Sequence, residues 1–546
     1  MISTLLPTMA VLSACASTPT ETASVAAAPA PAVMAQKPAA SAKDGRVKNV
    51  IIMISDGIGF NGWLAGDYYE GKAGQQAYQV TRPDGTKPVL YGMAHSSLNL
   101  IDADGKTLKS AADPSMAAGA VAQGYDPRTR WDRFENTFAG DYEPLKLSYT
   151  TYTDSAAAGT ALMTGRKTAN GRINMDWSAS EDFQTIAQIA MKRDRAAGAV
   201  ASVMASHATP AAVIAHNVSR NNYAEIFNEM VASDLTVIMG GGHPLYDPSG
   251  KKVNPKDDDD YKYVGGAETL GKLTSAAGMN GFAFIDAKEQ FSALAQGANL
   301  PERVVGIART SSTLQAAREG LPDADTPSGM AFNPDVPDLA TMSRGALNVL
   351  GQDEDGFFVM IEGGAIDWMG HANNMERYIE EQMDFNKAVA EVIAWVEANS
   401  SWDETLLIIT SDHECGGIWG EGTYTNSTGG PIAGSRDFVA LAEARFDPAK
   451  DTFNEFLAVQ DRGKGNMPGY QFASGNHTNE LVPLWAIGNG SELFAQFTRT
   501  DQRAAKLWGE PYGWNGSFVD NTSVFAVMER VLTERANPSQ MAANDP

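Results

Sequence analysis

The sequence predicts a three-layer α/β fold, a mostly parallel central sheet flanked by helices. Three observations carry that expectation. Apolar runs of strand length recur at 50–54, 357–361 and 406–409, and each leads into a carboxylate within three residues. A continuous apolar run, unlike an alternating one, describes a strand buried on both faces, as parallel strands between helical layers are. Met375, Tyr378, Ile379, Gln382, Phe385, Val389, Val392, Ile393 and Val396 keep three-and-four spacing, which predicts an amphipathic helix packed on the sheet. Finally, 546 residues with 43% hydrophobic content can bury a sizeable core, and strands alternating with helical segments indicate layered packing.

The amino terminus carries an address. Residues 1–15 read as a signal peptide: Leu5 to Leu12 is short and apolar, and Leu12-Ser13-Ala14-Cys15 fits a lipobox whose cysteine is acylated. Ala14-Cys15-Ala16 also fits an A-x-A signal-peptidase site. Either reading exports the protein, to a bacterial periplasm or to a membrane through a lipid anchor at Cys15. Residues 16–44, rich in Ala, Pro and Thr, read as a disordered tether, 45–535 as the folded domain and 536–546 as a flexible tail. No later stretch is long and apolar enough to span a membrane. Only Cys15 and Cys415 occur. An acylated Cys15 leaves no intrachain disulfide, and Cys415 reads as a buried small hydrophobe rather than a metal ligand.

The strand at 50–54 delivers Asp56 at its carboxyl end. Residues 60–150, with many Gly, Asp and aromatic residues, read as an insertion over the site entrance. Next comes a helix of small residues, Ser155 to Gly165, with Asp154 and Ser155 at its first turn. Free backbone N–H groups and the helix dipole there favour a phosphate and a serine alkoxide, although Asp and Ser are also ordinary helix caps. Further strands are expected near 199–204 and 235–239. The strand at 357–361 leads into Glu362 and then Asp367 and His371, which are four apart and share a face on a helical turn. After 406–410 come Asp412 and His413. Neighbours on a regular strand point to opposite sides, so these two converge only if the chain turns there. A second insertion is expected at 414–475, and His477 lies on a loop before the apolar run 481–487. Asp257 to Asp260 reads as a solvated acidic loop rather than a calcium site.

The chain has only seven histidines, and His207, His371, His413 and His477 all fall in these segments. Imidazole with carboxylate suits zinc, whereas carboxylate with hydroxyl suits magnesium. Carboxyl ends of strands are where open α/β sheets place their sites.

These motifs, in this order from about Asn49 to about Gly488, resemble the alkaline phosphatases. The resemblance implies an alkaline-phosphatase-like fold with inserted cap and crown segments. It implies Ser155 as the nucleophile that becomes phosphorylated, and Asp367, His371 and His477 as ligands of one zinc. Asp412 and His413 would bind a second zinc, Asp56 would bridge it to a magnesium, and Glu362 and Thr209 would complete that third site. Arg220 would clamp phosphate, oriented by Asp154, whose reading as a helix cap stays equally open. Two positions depart from the best-studied bacterial members: His207 stands where they carry Asp, and Trp368 where they carry Lys. His207 therefore opens the third site to zinc in place of magnesium, and Trp368 removes a cation that aids phosphate affinity. The second insertion corresponds to the family's crown region, which leaves a homodimer open.

Charge is consistent with this chemistry. Four ligand carboxylates set against three divalent ions and Arg220 leave a positive surplus that suits a phosphate dianion and a serine alkoxide. A cation on the hydroxyl brings its ionisation near neutral pH, so Ser155 needs no histidine base. The net charge of −24 argues against nucleic acid or an anionic membrane as partner, while small phosphomonoesters can still reach a locally cationic cluster. Two rivals remain: a phosphodiesterase of the same superfamily, which usually has a threonine nucleophile, and a non-catalytic lipoprotein that binds metal or phosphate. A sulfatase is excluded, since no C/S-x-P-x-R context lies near Asp56.

Overall fold

In the computed structural model, which describes residues 47–104, 117–122, 124–127, 152–421, 457–472 and 475–533, eleven strands form one sheet. In chain order they are β1 Asn49–Ser55, β2 Val89–Ala94, β3 Ala196–Met204, β4 Val237–Gly241, β5 Phe282–Ile285, β6 Arg303–Ile307, β7 Phe357–Gly363, β8 Thr405–Thr410, β9 Val482–Gly488, β10 Arg499–Thr500 and β11 Ser517–Asp520. Across the sheet they run β10-β11-β2-β9-β8-β1-β7-β3-β4-β6-β5. From β8 to β5 every neighbouring pair is parallel. Strand β9 is antiparallel to both β8 and β2.

Alternating side chains of the apolar runs separate the two faces. Ile51 and Met53 of β1, Val359 and Ile361 of β7, and Leu407 and Ile409 of β8 enter one core. Their neighbours Val50, Ile52, Ile54, Phe358, Met360, Leu406 and Ile408 enter another. Each such side chain contributes about 1.5–3 kcal/mol by leaving water, so both faces must be covered.

Helices do this. In chain order the ones that matter are α1 Phe60–Glu70, α2 Ser155–Thr164, α3 Ala208–Ala211, α4 Leu339–Leu350, α5 Ala365–His371, α6 Met375–Asn399 and α7 Thr522–Thr533. Residues of α4 and α6 pack in the first core, and those of α2 and α7 in the second. All nine positions that predicted the long amphipathic helix are buried in α6.

The segment expected as a first insertion, 60–150, supplies α1 and the sheet strand β2 in its first part. Residues 105–116, 123 and 128–151 lie outside the described residues, as do 422–456 of the second insertion, the signal and tether at 1–44 and the tail at 536–546. Asp257 to Asp260 are exposed and hydrogen-bond their own turn, as a solvated loop would. Among the described residues no helix is long and apolar enough to cross a membrane.

Glu381 of α6 is buried, with no hydrogen-bond partner for Oε1 among the described residues, and its pKa is pushed up to about 8 by burial and by repulsion from Asp384 and Glu380. The folded-state value lies above the unfolded one, so the protonated form's stability is lost as pH rises from about 4.5 through about 8. Glu381→Gln is neutral at every pH. It is expected to flatten the fall of Tm between pH 6 and 9 and to raise Tm at pH 9; a melting series that tracks wild type would contradict this.

Candidate active site

The expected site residues gather at the carboxyl ends of four adjacent strands, β8, β1, β7 and β3. Asp56 follows β1 directly, and Glu362, in β7, is registered beside Ile54 of β1 and Ala201 of β3. Thr209 lies on the short α3 beyond β3. Asp367 and His371 sit on α5, one turn apart, immediately after β7. Gly57 makes that approach feasible. Its φ is +73°, and a Cβ there would come within 2.6 Å of the Asp367 Cα, so any other residue would be strained and would collide with α5. Beyond β8 the chain bends at Asp412 and His413, the turn that their convergence requires. A two-residue ladder pairing Glu414–Cys415 with His477–Thr478 brings the last imidazole in.

Two groups of ligand atoms result. Asp367, His371, His477 and Cys415 each offer an atom within 4.8 Å of all the others; Asp56, Asp412 and His413 form the second such group. In the first, His477 Nε2 lies 3.0 Å from His371 Nε2 and 3.2 Å from Asp367 Oδ1. The other ring nitrogens face carbonyls: His477 Nδ1 is 2.8 Å from Thr153 O, and His371 Nδ1 is 2.9 Å from Gly475 O. A carbonyl only accepts, so each Nδ1 carries a proton and Nε2 is the nitrogen left to ligate, the arrangement of metal-ligating histidines. In the second group His413 Nε2 is 3.1 Å from Asp412 Oδ2 and 3.5 Å from Asp56 Oδ1.

Ser155 opens α2 with its side chain buried. Its Oγ lies 3.2 Å from His413 Nε2, which puts the hydroxyl against the second group. Asp154 serves both of its expected roles at once. Oδ1 accepts from Ala157 N at 2.9 Å as the helix cap, and Oδ2 accepts from Arg220 Nη1 at 3.1 Å and from Gly171 N.

The electrostatics favour cations. Burial, then repulsion from Asp412, raises the pKa of Glu362 to about 8, and burial raises Asp412 to about 6. Burial and the neighbouring Asp412, Asp367 and Glu362 raise Asp56 well above the carboxylate range. Burial would also raise Asp367, but His477 and His371 hold it low. Among the described residues, Asp56 Oδ1, both Glu362 oxygens, Asp367 Oδ1, Asp412 Oδ2 and Thr209 Oγ1 are buried without a hydrogen bond of good geometry, with imidazole nitrogens close to Asp367 Oδ1 and Asp412 Oδ2. Unpaired buried carboxylates are costly, and divalent ions would satisfy all of these atoms. The donor set fits such ions.

His207 and Trp368 sit beside this cluster. The His207 ring is 5.7 Å from that of Trp368 and 6.2 Å from that of Tyr223, between ring centroids. Burial, then Arg220, lowers its pKa to about 3; the ring is therefore neutral. Cys415 lies close to the first group. It is buried, as its apolar reading required, yet its sulfur belongs to the first ligand group. Sequence reasoning also missed the carbonyls of Thr153 and Gly475, which no side-chain pattern could reveal, and His95, whose buried ring lies 6.4 Å from that of His413.

Comparison with known proteins agrees. Residues 119–503 match the alkaline phosphatase family; Asp56 and its strand precede that match. Alkaline phosphatase 3 of Bacillus subtilis is 28% identical over 382 residues, 63% of this chain and 73% of the relative. The fold matches the solved alkaline phosphatase of the Antarctic bacterium TAB5, with TM-score 0.51 and 22% identity over 89% of this chain and 98% of that one. A variant of that enzyme, with glutamate in place of a histidine, has magnesium bound in its M3 site. The Thermus thermophilus alkaline phosphatase gives TM-score 0.54 and 18% identity over 90% and 92% of the two chains. A sequence match across most of its length, on a fold shared with solved members, makes this chain a phosphatase belonging to the alkaline phosphatase family.

Proposed function

We propose that the protein is an exported phosphomonoesterase that works through a phosphoserine on Ser155, with two zinc ions and a third metal, magnesium or zinc. The observation that carries this is Ser155 Oγ at 3.2 Å from His413 Nε2, beside the Asp56–Asp412–His413 group. Asp367, His371 and His477 would hold one ion, Asp412 and His413 the second, and Asp56, Glu362 and Thr209 the third. Bound there, the ions supply positive charge that neutralises the carboxylates, favours ionised Ser155 and polarises phosphoryl oxygens.

The chain's own residues do the rest. His413 is a poor proton acceptor, because burial holds its pKa well below the usual imidazole value. Ser155 therefore has no imidazole base beside it, and bound cations would favour its ionised form. Its Oγ attacks phosphorus as the ester oxygen leaves, forming phosphoserine; water then attacks the same phosphorus, and inorganic phosphate and Ser155 are released. Arg220, held by Asp154, offers its planar fork to two non-bridging oxygens throughout. The magnesium in the M3 site of the histidine-to-glutamate TAB5 variant supports a third site whose metal depends on the residue present, here His207.

The test is metal analysis joined to substrate comparison. Chelator-treated protein should lose activity and melt at lower temperature, zinc with magnesium should restore both, and the restored enzyme should prefer monoesters to diesters. Full activity after complete metal removal would contradict the reading. For export, a lipoprotein-processing inhibitor should make precursor accumulate, and Cys15→Ser should release the protein from membranes; unchanged soluble protein in both cases would favour ordinary signal cleavage.

A further inference from the structure

The first ligand group contains one donor that the phosphatase reading does not use. Cys415 Sγ lies within 4.8 Å of the Asp367, His371 and His477 ligand atoms. Three features of the fold put it there. Cys415 is registered directly across the short ladder from His477, its N–H donates to Gly57 O at 3.1 Å, and its side chain presses on α5 at Gly370. A Cβ added at Gly370 would sit 3.1 Å from both Cβ and Sγ of Cys415, so the missing side chain leaves room for the sulfur against α5. Two further observations point to an ion at this spot: among the described residues Asp367 Oδ1 is buried without a hydrogen bond of good geometry, and the Nε2 atoms of His371 and His477 converge to 3.0 Å.

We infer that Cys415 is a fourth protein ligand of the metal held by Asp367, His371 and His477, binding as thiolate. The inference rests on reading this group as a metal site. Ligand atoms around a tetrahedral zinc stand roughly 3–4 Å apart for bonds of about 2.0–2.3 Å, and the four here lie within 4.8 Å of one another. Binding releases the thiol proton. A soft thiolate selects zinc over magnesium or calcium, so this group, unlike the oxygen-rich Glu362–Thr209 group, is specific for zinc.

The experiment uses the full chain carrying Cys15→Ser, so that Cys415 is its only thiol. Protein stripped by chelator is titrated with cobalt(II) and followed by absorption. A near-ultraviolet sulfur-to-cobalt charge-transfer band should grow with the cobalt bound, vanish in Cys415→Ser, and be accompanied there by a loss of zinc affinity of about tenfold or more. Bound cobalt without that band in the protein retaining Cys415 overturns the inference while leaving the metal site standing. No cobalt binding at all overturns both. Because the decisive spectrum is that of the chain retaining Cys415, a poorly folding Cys415→Ser variant does not blunt the test.

Discussion

Replacing Ser155 with alanine is expected to abolish the phosphoenzyme and to lower kcat by about a thousand-fold or more, the scale on which loss of a covalent nucleophile acts. The fold should be untouched. Ser155 is the first residue of α2, the cap is supplied by Asp154, and alanine is the better helix former. Metal content should also stay near wild type, because both ligand groups remain complete without the hydroxyl. Metal analysis alongside steady-state rates checks both halves. A variant with full activity, or one whose activity falls only because metal is lost, would remove Ser155 from the role of nucleophile.

The second large effect is expected at Arg220. Its guanidinium is anchored by Asp154 at 3.1 Å and is only partly exposed, which positions a fixed fork for phosphoryl oxygens. Charge-assisted hydrogen bonds contribute roughly 1.5–3 kcal/mol each, so Arg220→Ala should cost about ten- to a thousand-fold in kcat/KM toward monoesters. A monoester dianion carries more charge on those oxygens than a diester, so diester rates should fall less. Equal losses for both classes, from a wild type that already prefers diesters, would favour the phosphodiesterase reading.

Much of this site was legible in the sequence because its strands are buried on both faces. The runs in β1, β7 and β8 read as strands without help from periodicity, and each ends in the acid that reaches the site. Strand β2 escaped notice since Val89, Leu90 and Tyr91 are only half-buried and Gly92 interrupts the run. The outer strands β5 and β6 are four and five residues long, too short to stand out. The closeness of Cys415 to the first ligand group was not legible for a different reason. It depends on the register with His477 and on the gap left by Gly370, and neither is encoded in the residues beside it. The paired roles of Asp154 likewise needed three dimensions, since Arg220 is distant in the chain.

The central claim is that phosphate passes through Ser155. The direct measurement is to mix the metal-loaded enzyme with a labelled phosphomonoester, quench in acid within the first turnovers, and locate the phosphate by peptide mass spectrometry. The account predicts phosphate on Ser155 and on no other residue, at a yield that falls to background in Ser155→Ala. Phosphate on a different side chain, or turnover with no phosphorylated peptide when hydrolysis of the intermediate is slowed at acidic pH, would contradict it.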